Sequence, residues 1–279
     1  MQEQKAFLQE ATENLSEILK PYQQQQNRRQ QMVEMIRRCI QCAEKDDFLR
    51  LDELLKNRLA QEIENEPELQ ACRGIFERLR TYSNDTVDRY RIEFIEDVKK
   101  NAEEASLPIE IDFPRFSVLK GIEGDFDFAN RQTTVNDKKL KSIDPKRIIS
   151  TVLKIKRQLY DRPYDPKKFI DDLYQVYRTL VKDRKKTLGH PIPIQEFYRE
   201  YVMSLQSKAF FQNMDKGKFK GYSLGQFAVD IWRYFQAGTG GTSGKYALHL
   251  GSGRNHALWL IDSDGQTRQI TTISFQEHS

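Results

Sequence analysis

The chain has 279 residues, of which 38% are hydrophobic and 31% charged, and it carries a formal net charge of +4. This length allows one large domain or two or three smaller ones, and the aromatic content of 11% argues against general disorder. No window approaches the roughly 20 apolar residues that a bilayer span needs, and the first segment lacks the apolar stretch of a secretion signal. We therefore expect a cytoplasmic protein without a membrane partner.

The charge is distributed unevenly along the chain. Residues 1–140 contain 22 basic and 28 acidic residues, residues 141–240 contain 20 and 10, and residues 241–279 contain three of each. The middle segment therefore has ten excess positive charges. A field of that sign attracts polyanions, nucleic acid first and acidic protein surfaces second.

The three cysteines favour a reducing compartment, because any disulfide framework would leave one of them unpaired. Cys39 and Cys42 have the C-x-x-C spacing of zinc ligands, but no second pair of cysteines or histidines completes a four-ligand site. On a helix this spacing places both sulfurs on one face. We expect both side chains to be buried as small hydrophobic groups.

Residues 1–105 are predicted to form a helical hairpin or small bundle. Apolar residues recur at the spacing of one helical face from Phe7 to Leu19, and Pro21 is expected to end or kink this first helix. The apolar stripe is narrow and has polar flanks, which predicts an arm that associates with itself or with a helical partner. No strict heptad persists over four repeats, so a long coiled coil is the weaker alternative. The same period returns in segments 32–43, 48–63 and 67–98.

Residues 106–143 are predicted to form a small antiparallel β element of two to four strands. Asn136-Asp137 has the residue types of a tight turn between two of these strands. The strands are indicated by alternating apolar residues, namely Ile109, Ile111, Phe113, Phe116, Val118, Phe126 and Phe128.

Residues 144–279 are predicted to form a basic helical domain that ends in a winged-helix-like module at about 194–275. Asp144 and Asp165 are predicted helix N-caps, and each precedes a proline at the first helical position. After a break at 189–193, the predicted order is helix, short helix, turn, helix and three strands joined as β hairpins. This order is typical of winged-helix domains. The predicted fold class is therefore α+β and mainly helical.

Helix 223–236 would be the recognition helix of such a module, and Ser223 is its predicted N-cap. Its exposed candidates are Ser223, Gln226, Asp230 and Arg233. The many apolar residues of this helix predict that it is mostly buried, so direct reading of bases is not expected.

The glycine-rich stretch AGTGGTSGKY, residues 237–246, has the composition of a phosphate-binding loop. A P-loop needs G-x-x-x-x-G-K-[ST] between a strand and a helix. Counting back from Gly244-Lys245, Thr239 stands where the first glycine belongs, and Tyr246 follows the lysine. A helix also precedes the stretch and a strand follows it, which inverts the order of a P-loop. We expect a flexible linker.

Several histidines and carboxylates are further candidates for a catalytic or metal site. His249 and His256 would lie across one hairpin near Asp262, where a metal or acid–base site is the alternative to ordinary strand packing. Asp262 and Asp264 resemble the start of a calcium loop, but a β-turn accounts for them without metal. A metal-dependent nuclease would need an E-x-K triplet beside strand carboxylates, and the predicted sheet has none. We predict no catalytic residue, no metal site and no cofactor.

The combined pattern predicts a non-catalytic accessory or assembly subunit of a cytosolic nucleic-acid-handling complex. Basic residues on helix ends and turns suit contact with phosphate, which supplies affinity but little sequence information. The alternatives are a protein–protein adaptor that does not bind nucleic acid and a metal-dependent nuclease. The predicted contact residues are Lys146, Arg147, Lys154, Lys156, Arg157, Lys167, Lys168, Lys182, Arg184, Lys185, Lys186, Lys216, Lys218, Lys220 and Arg233.

Overall fold

The computed structural model describes residues 2–238 and 245–277. Over these residues the protein has an α+β fold that is about 59% helical, with nine α-helices and two small antiparallel sheets. The predicted fold class, α+β and mainly helical, is confirmed. Among the described helices, none combines the length and the apolar character needed to cross a membrane. The chain divides into two compact units, Met1–Lys100 with Asp127–Gln132, and Asn101–Phe126 with Thr133–Ser279.

The first unit is built from helices. The second half of the first helix packs against the helices that follow it, through a core that includes Met32, Leu51, Ile63 and Phe76. Cys39 and Cys42 belong to this core, as their spacing predicts. The helices are α1 (Gln2–Glu44), α2 (Phe48–Lys56), α3 (Arg58–Asn65) and α4 (Ala71–Glu104), the last of which continues into the second unit.

Helix α1 is continuous over 43 residues with Pro21 inside it. A first helix that ends at Pro21 is therefore a wrong prediction. Proline lacks the N–H that would bond to the carbonyl of Glu17, and its ring crowds that carbonyl. No residue from Leu8 to Gln31 is buried, so water has access to the carbonyl that Pro21 leaves unpaired. Helical residues on both sides then continue the helix through the proline.

The β element between the helical regions has five strands rather than two to four. The predicted turn at Asn136-Asp137 joins the last two strands, and Asn136 has a φ of 51°. Asparagine tolerates this left-handed conformation better than most residues. The Asn136 amide also donates to the carbonyl of Gly121 at 2.7 Å, which fixes one end of the sheet. The strands pair in chain order and are β1 (Glu110–Asp112), β2 (Arg115–Leu119), β3 (Ile122–Asp127), β4 (Gln132–Val135) and β5 (Lys138–Leu140).

Five helices follow, and three of them begin at the predicted caps. The Asp144 carboxylate accepts from the Lys146 N–H at 2.9 Å, and Asp165 caps the next helix in the same way. Ser223 and Gln226 form a capping box at the last helix. These helices are α5 (Pro145–Leu159), α6 (Pro166–Asp183), α7 (Ile194–Ser204), α8 (Lys208–Asn213) and α9 (Leu224–Gln236).

The second sheet has four strands with the longest one in the middle. Ile273 of this strand pairs with Ile192 on one side and with Leu250 on the other. The strand at Ile192 was not predicted, because two residues cannot show the alternation that identifies a strand. The strands are β6 (Ile192–Pro193), β7 (Tyr246–Ser252), β8 (Leu258–Ile261) and β9 (Thr267–Glu277), in the order β6-β9-β7 with β8 also paired to β9.

Candidate nucleic-acid interface

Helix α5 has a cationic face opposite its buried face. Successive helical residues are rotated by about 100°, so Lys146, Arg147, Lys154 and Arg157 fall within one arc of about 100°. All four are exposed. The 15 residues of α5 include no Asp or Glu, and the nearest capping carboxylate, Asp144, lies 3.9 Å from the Arg147 Nε. The buried face consists of Ile148, Ile149, Val152, Ile155 and Leu159.

Lys156 does not join these four cations. Its position on α5 lies outside their arc, and its Nζ is 2.6 Å from a carboxylate oxygen of Asp161. Only 29% of the Lys156 side chain is exposed. The structure therefore places this residue in an ion pair at the end of the helix.

The two lysines that begin α6 are followed by two acidic residues one helical turn later. Lys167 and Lys168 are exposed, and Asp171 and Asp172 follow one turn later. Burial raises the pKa of Asp172, while the charges of Lys168 and Lys220 lower it. The charges of Lys168 and Lys220 therefore act on the Asp172 carboxylate.

The end of α6 forms a shallow groove of about 600 Å³ whose charged lining residues are all basic. Among the residues that the structure describes, Lys182, Lys185 and Lys186 have no carboxylate within 4.0 Å. Arg178 also lines the groove and was not predicted, although it lies one helical turn before Lys182. Arg184 points elsewhere and pairs with Glu196. The lining residues are Gln175, Arg178, Thr179, Val181, Lys182, Lys185, Lys186 and Leu188.

A third group of cations lies in segment 207–221, which contains α8 and the 3-10 turn Lys216–Lys218. Lys216, Lys218 and Lys220 are exposed there. The Asp215 carboxylate caps the turn by accepting from the Gly217 N–H at 2.8 Å. Lys216 and Lys218 therefore lie in a capped turn and Lys220 follows it, and all three are exposed to solvent.

Arg233 and Asp230 do not form an exposed reading surface on α9, and the prediction that Asp230 is exposed is wrong. The Asp230 side chain is only 2% exposed and forms ion pairs with Arg162 and Arg233. The Tyr222 hydroxyl donates to Asp230 at 2.6 Å. The Arg233 guanidinium lies 4.2 Å from the ring centroid of Tyr164. These contacts hold α9 against the residues before α6.

The sequence contains one signal for this buried cluster, which is the position of Asp230 among apolar residues. Asp230 stands between Val229 and Ile231 in a helix whose other faces are also apolar. An ionised carboxylate in such surroundings needs a cationic partner, because an unpaired buried charge is costly. Arg162, which supplies that partner, is distant in the sequence.

Asp262 is a turn residue rather than part of a histidine site. Its Oδ1 accepts from the N–H groups of Asp264 at 3.0 Å and Gln266 at 2.8 Å, and its Oδ2 lies 2.5 Å from the Arg268 Nε. A concavity of about 270 Å³ is lined by His249 and Asp262 but not by His256. Across residues 8–238 and 245–277, no three His, Cys, Asp or Glu side chains are arranged to hold a metal ion.

The glycine-rich linker predicted at 237–246 lies mostly outside the described residues, which stop at 238 and resume at 245. Comparison of the chain with protein-family models, curated proteins and solved structures finds no match. The three groups of exposed cations, on α5, at the end of α6 and in segment 207–221, are therefore the observations from which a function is inferred. The name basic surface is used below for these three separate groups taken together.

Proposed function

We propose that the protein is a non-catalytic accessory subunit of a nucleic-acid-handling complex and that its basic surface binds phosphates. The observation that carries this proposal is the cationic face of α5, where Lys146, Arg147, Lys154 and Arg157 share one arc and the helix supplies no carboxylate. Such a face neutralises phosphates and releases their counterions, which gives affinity without a preference for sequence.

The order of elements from α6 to β9 supports a winged-helix-like module. A helix, a short strand, three helices and three further strands follow one another, and the first strand pairs with the last. In helix-turn-helix proteins the last helix of such a unit enters the major groove. Here Phe227, Val229 and Ile231 of α9 are buried. We therefore propose contact with phosphates and not base reading by α9.

The exposed half of α1 supports the proposed association with a helical partner or a second copy. Its apolar side chains recur at three- and four-residue intervals on one side of the helix, and exposed apolar surface of this kind marks interaction sites. The exposed fractions are 62% for Leu8, 67% for Leu15, 63% for Ile18, 51% for Leu19 and 68% for Tyr22.

A paired set of charge reversals tests the proposed phosphate contact. The double variant K154E/R157E removes two cations of the α5 face, whereas K138E/K139E makes the same change in net charge on exposed residues of β5. We expect only the first variant to weaken binding to DNA or RNA, as measured by fluorescence anisotropy. If wild-type protein binds no single- or double-stranded DNA or RNA at about 50 mM salt, where phosphate contacts are strong, the proposal is wrong.

The second candidate function is a protein–protein adaptor whose basic surface meets an acidic protein. The exposed apolar face of α1 and the buried state of α9 support an adaptor as well as they support a phosphate-binding subunit. The two candidates differ in one result: an adaptor would not be retained on immobilised DNA at moderate salt, whereas a phosphate-binding subunit would be. The metal-dependent nuclease has no such support, because no metal-holding group is found among the described residues.

A further inference from the structure

Segment 207–221 exposes apolar and aromatic side chains in the middle of its lysines. The exposed fraction is 48% for Phe211, 64% for Met214 and 44% for Phe219. Lys208, Lys216, Lys218 and Lys220 are exposed in the same segment, against the single carboxylate of Asp215. Large apolar side chains at the surface of a folded protein are informative when they cluster, since such clusters mark binding sites.

The two exposed phenylalanines flank a third, buried ring. The Phe210 centroid lies 5.3 Å from that of Phe211 and 5.6 Å from that of Phe219. Phe210 itself is 9% exposed, so it anchors the other two from beneath. The centroids of the two exposed rings are therefore within about 11 Å of each other.

Hydrogen bonds hold this segment at several points. The Gln206 side chain accepts from the Lys220 N–H at 2.8 Å and donates to the Lys220 carbonyl at 3.0 Å. The Met214 N–H donates to the Phe210 carbonyl at 2.7 Å. These bonds tie Lys220 and the end of α8 in place, which lowers the cost of ordering the segment when a ligand binds.

We infer that segment 207–221 binds single-stranded nucleic acid, with bases stacked on Phe211 and Phe219 and phosphates next to the surrounding lysines. This inference rests on the proposed function and adds the class of nucleic acid. Aromatic rings beside a cationic track are the combination that binds single strands without sequence preference. In a duplex the flat faces of the bases are covered by their neighbours, so the rings would have nothing to stack on.

Exposed apolar side chains among lysines are also found on proteins that lie on anionic membranes. Such proteins usually insert one face of an amphipathic helix. Here α8 has only six residues and Phe219 lies beyond it. Four exposed lysines stand against one carboxylate in this segment, so a single strand accounts for both the rings and the charges.

The test compares three changes at the two rings, measured by anisotropy with a single-stranded oligodeoxythymidylate and with a duplex. F211A/F219A is expected to weaken single-strand binding about tenfold for each ring and to leave duplex binding unchanged. F211L/F219L keeps apolar bulk but loses the aromatic faces, so we expect the same loss. F211Y/F219Y keeps the faces and is expected to bind like wild type. W259A, which removes a different exposed aromatic ring of the same unit, is the matched control.

The salt dependence separates stacking from charge. F211A/F219A is expected to keep the wild-type slope of log affinity against log salt, because no phosphate contact is removed. K216A/K218A/K220A is expected to make that slope shallower by about 2, at about 0.7 for each lost contact with a single strand. Thermal unfolding curves that match wild type would show that each variant is folded.

Distinct results overturn the inference and the proposed function. If F211A/F219A binds the single strand like wild type while K154E/R157E binds it more weakly, stacking is wrong and the proposed function stands. If F211L/F219L keeps full affinity, the aromatic faces are not used. If wild type binds phosphatidylserine vesicles through these rings and does not bind the single strand, the segment is a membrane-binding surface. If wild type binds no nucleic acid at all, the proposed function itself fails.

Discussion

The carboxylate of Asp230 in α9 forms a buried ion pair with the guanidinium of Arg162, which lies between α5 and α6. The exposed fractions of the two side chains are 2% and 22%. Tyr222 donates a hydrogen bond to the same carboxylate at 2.6 Å. This pair joins α9 to the chain before α6. The stability of the second unit therefore depends on the negative charge of Asp230.

Removal of that charge is expected to destabilise the protein strongly. D230N keeps the size of the side chain but leaves the partly buried cations Arg162 and Arg233 without a counter-charge. Breaking one partner of a buried pair costs about 3–5 kcal/mol, so we expect a loss of that order in the free energy of unfolding, measured by urea denaturation. D264N is the control, because the Asp264 side chain is 72% exposed. A loss below about 1 kcal/mol for D230N, in the range of exposed ion pairs, would contradict this role.

Alkaline pH is expected to unfold the second unit through its buried tyrosines. Burial raises the pKa of Tyr160 from its ordinary value of 10.0 to about 12, and burial also raises the pKa of Tyr201 and Tyr222. The folded state therefore keeps protons that the unfolded chain loses. The stability from the neutral phenols is complete below pH 10.0 and declines as the pH rises above it toward the folded pKa values.

The measurement follows tyrosine ionisation by ultraviolet absorbance and helicity by circular dichroism during one titration. We expect most phenols to ionise together with the loss of helical signal, well above pH 10. Independent ionisation of all tyrosines near pH 10, with helicity intact, would show that these side chains are not buried as described.

The two buried cysteines are expected to resist alkylation. Burial raises the pKa of Cys39 to about 11, and burial is also the main cause of the raised pKa of Cys42. Both thiols therefore stay protonated at neutral pH, and the thiolate is the reactive form. In a mass-spectrometric iodoacetamide time course, Cys72, which is partly exposed, should be labelled first. The C72S variant should incorporate label only as urea unfolds it, and fast labelling of folded C72S would contradict the packing of α1.

Replacement of Pro21 is expected to stabilise the exposed half of α1. Proline in a helix interior costs about 3 kcal/mol relative to alanine, and P21A restores the N–H that bonds to Glu17. We expect slower hydrogen exchange for amides near residue 21 in P21A and unchanged exchange in α9. Q24A, on the same exposed part of the helix, is the control. Equal exchange in P21A and wild type would mean that the proline does not weaken this segment.

Local signals in the sequence predicted much of the fold. Asp144, Asp165 and Ser223 cap helices by bonds to residues two or three positions later, so a short stretch contains all the information. The turn at Asn136-Asp137 is local in the same sense. The buried pair of Asp230 with Arg162 and the pairing of Ile192 with Ile273 depend on residues far apart in the chain. No periodicity or spacing indicates such contacts.

The residues of the candidate site also divide into those that local patterns predict and those whose contacts depend on distant parts of the chain. Helical spacing was enough to predict the exposed cations Lys154 and Lys182. The same spacing places Arg178 one helical turn before Lys182, so it could also have been predicted. The pairing of Lys156 with Asp161 and of Arg184 with Glu196 needed coordinates. The aromatic rings in segment 207–221 carried no signal of their own, since a phenylalanine in a sequence is expected in the core.

The most direct test of phosphate binding by the basic surface is the salt dependence of duplex DNA affinity for wild type and K182E/K185E/K186E, measured between about 50 and 200 mM salt. We expect a steep fall in wild-type affinity with added salt, and a slope shallower by about 2 to 3 in the variant, at about 0.9 for each lost phosphate contact. Parallel slopes for the two proteins, or wild-type affinity that does not change with salt, would contradict it.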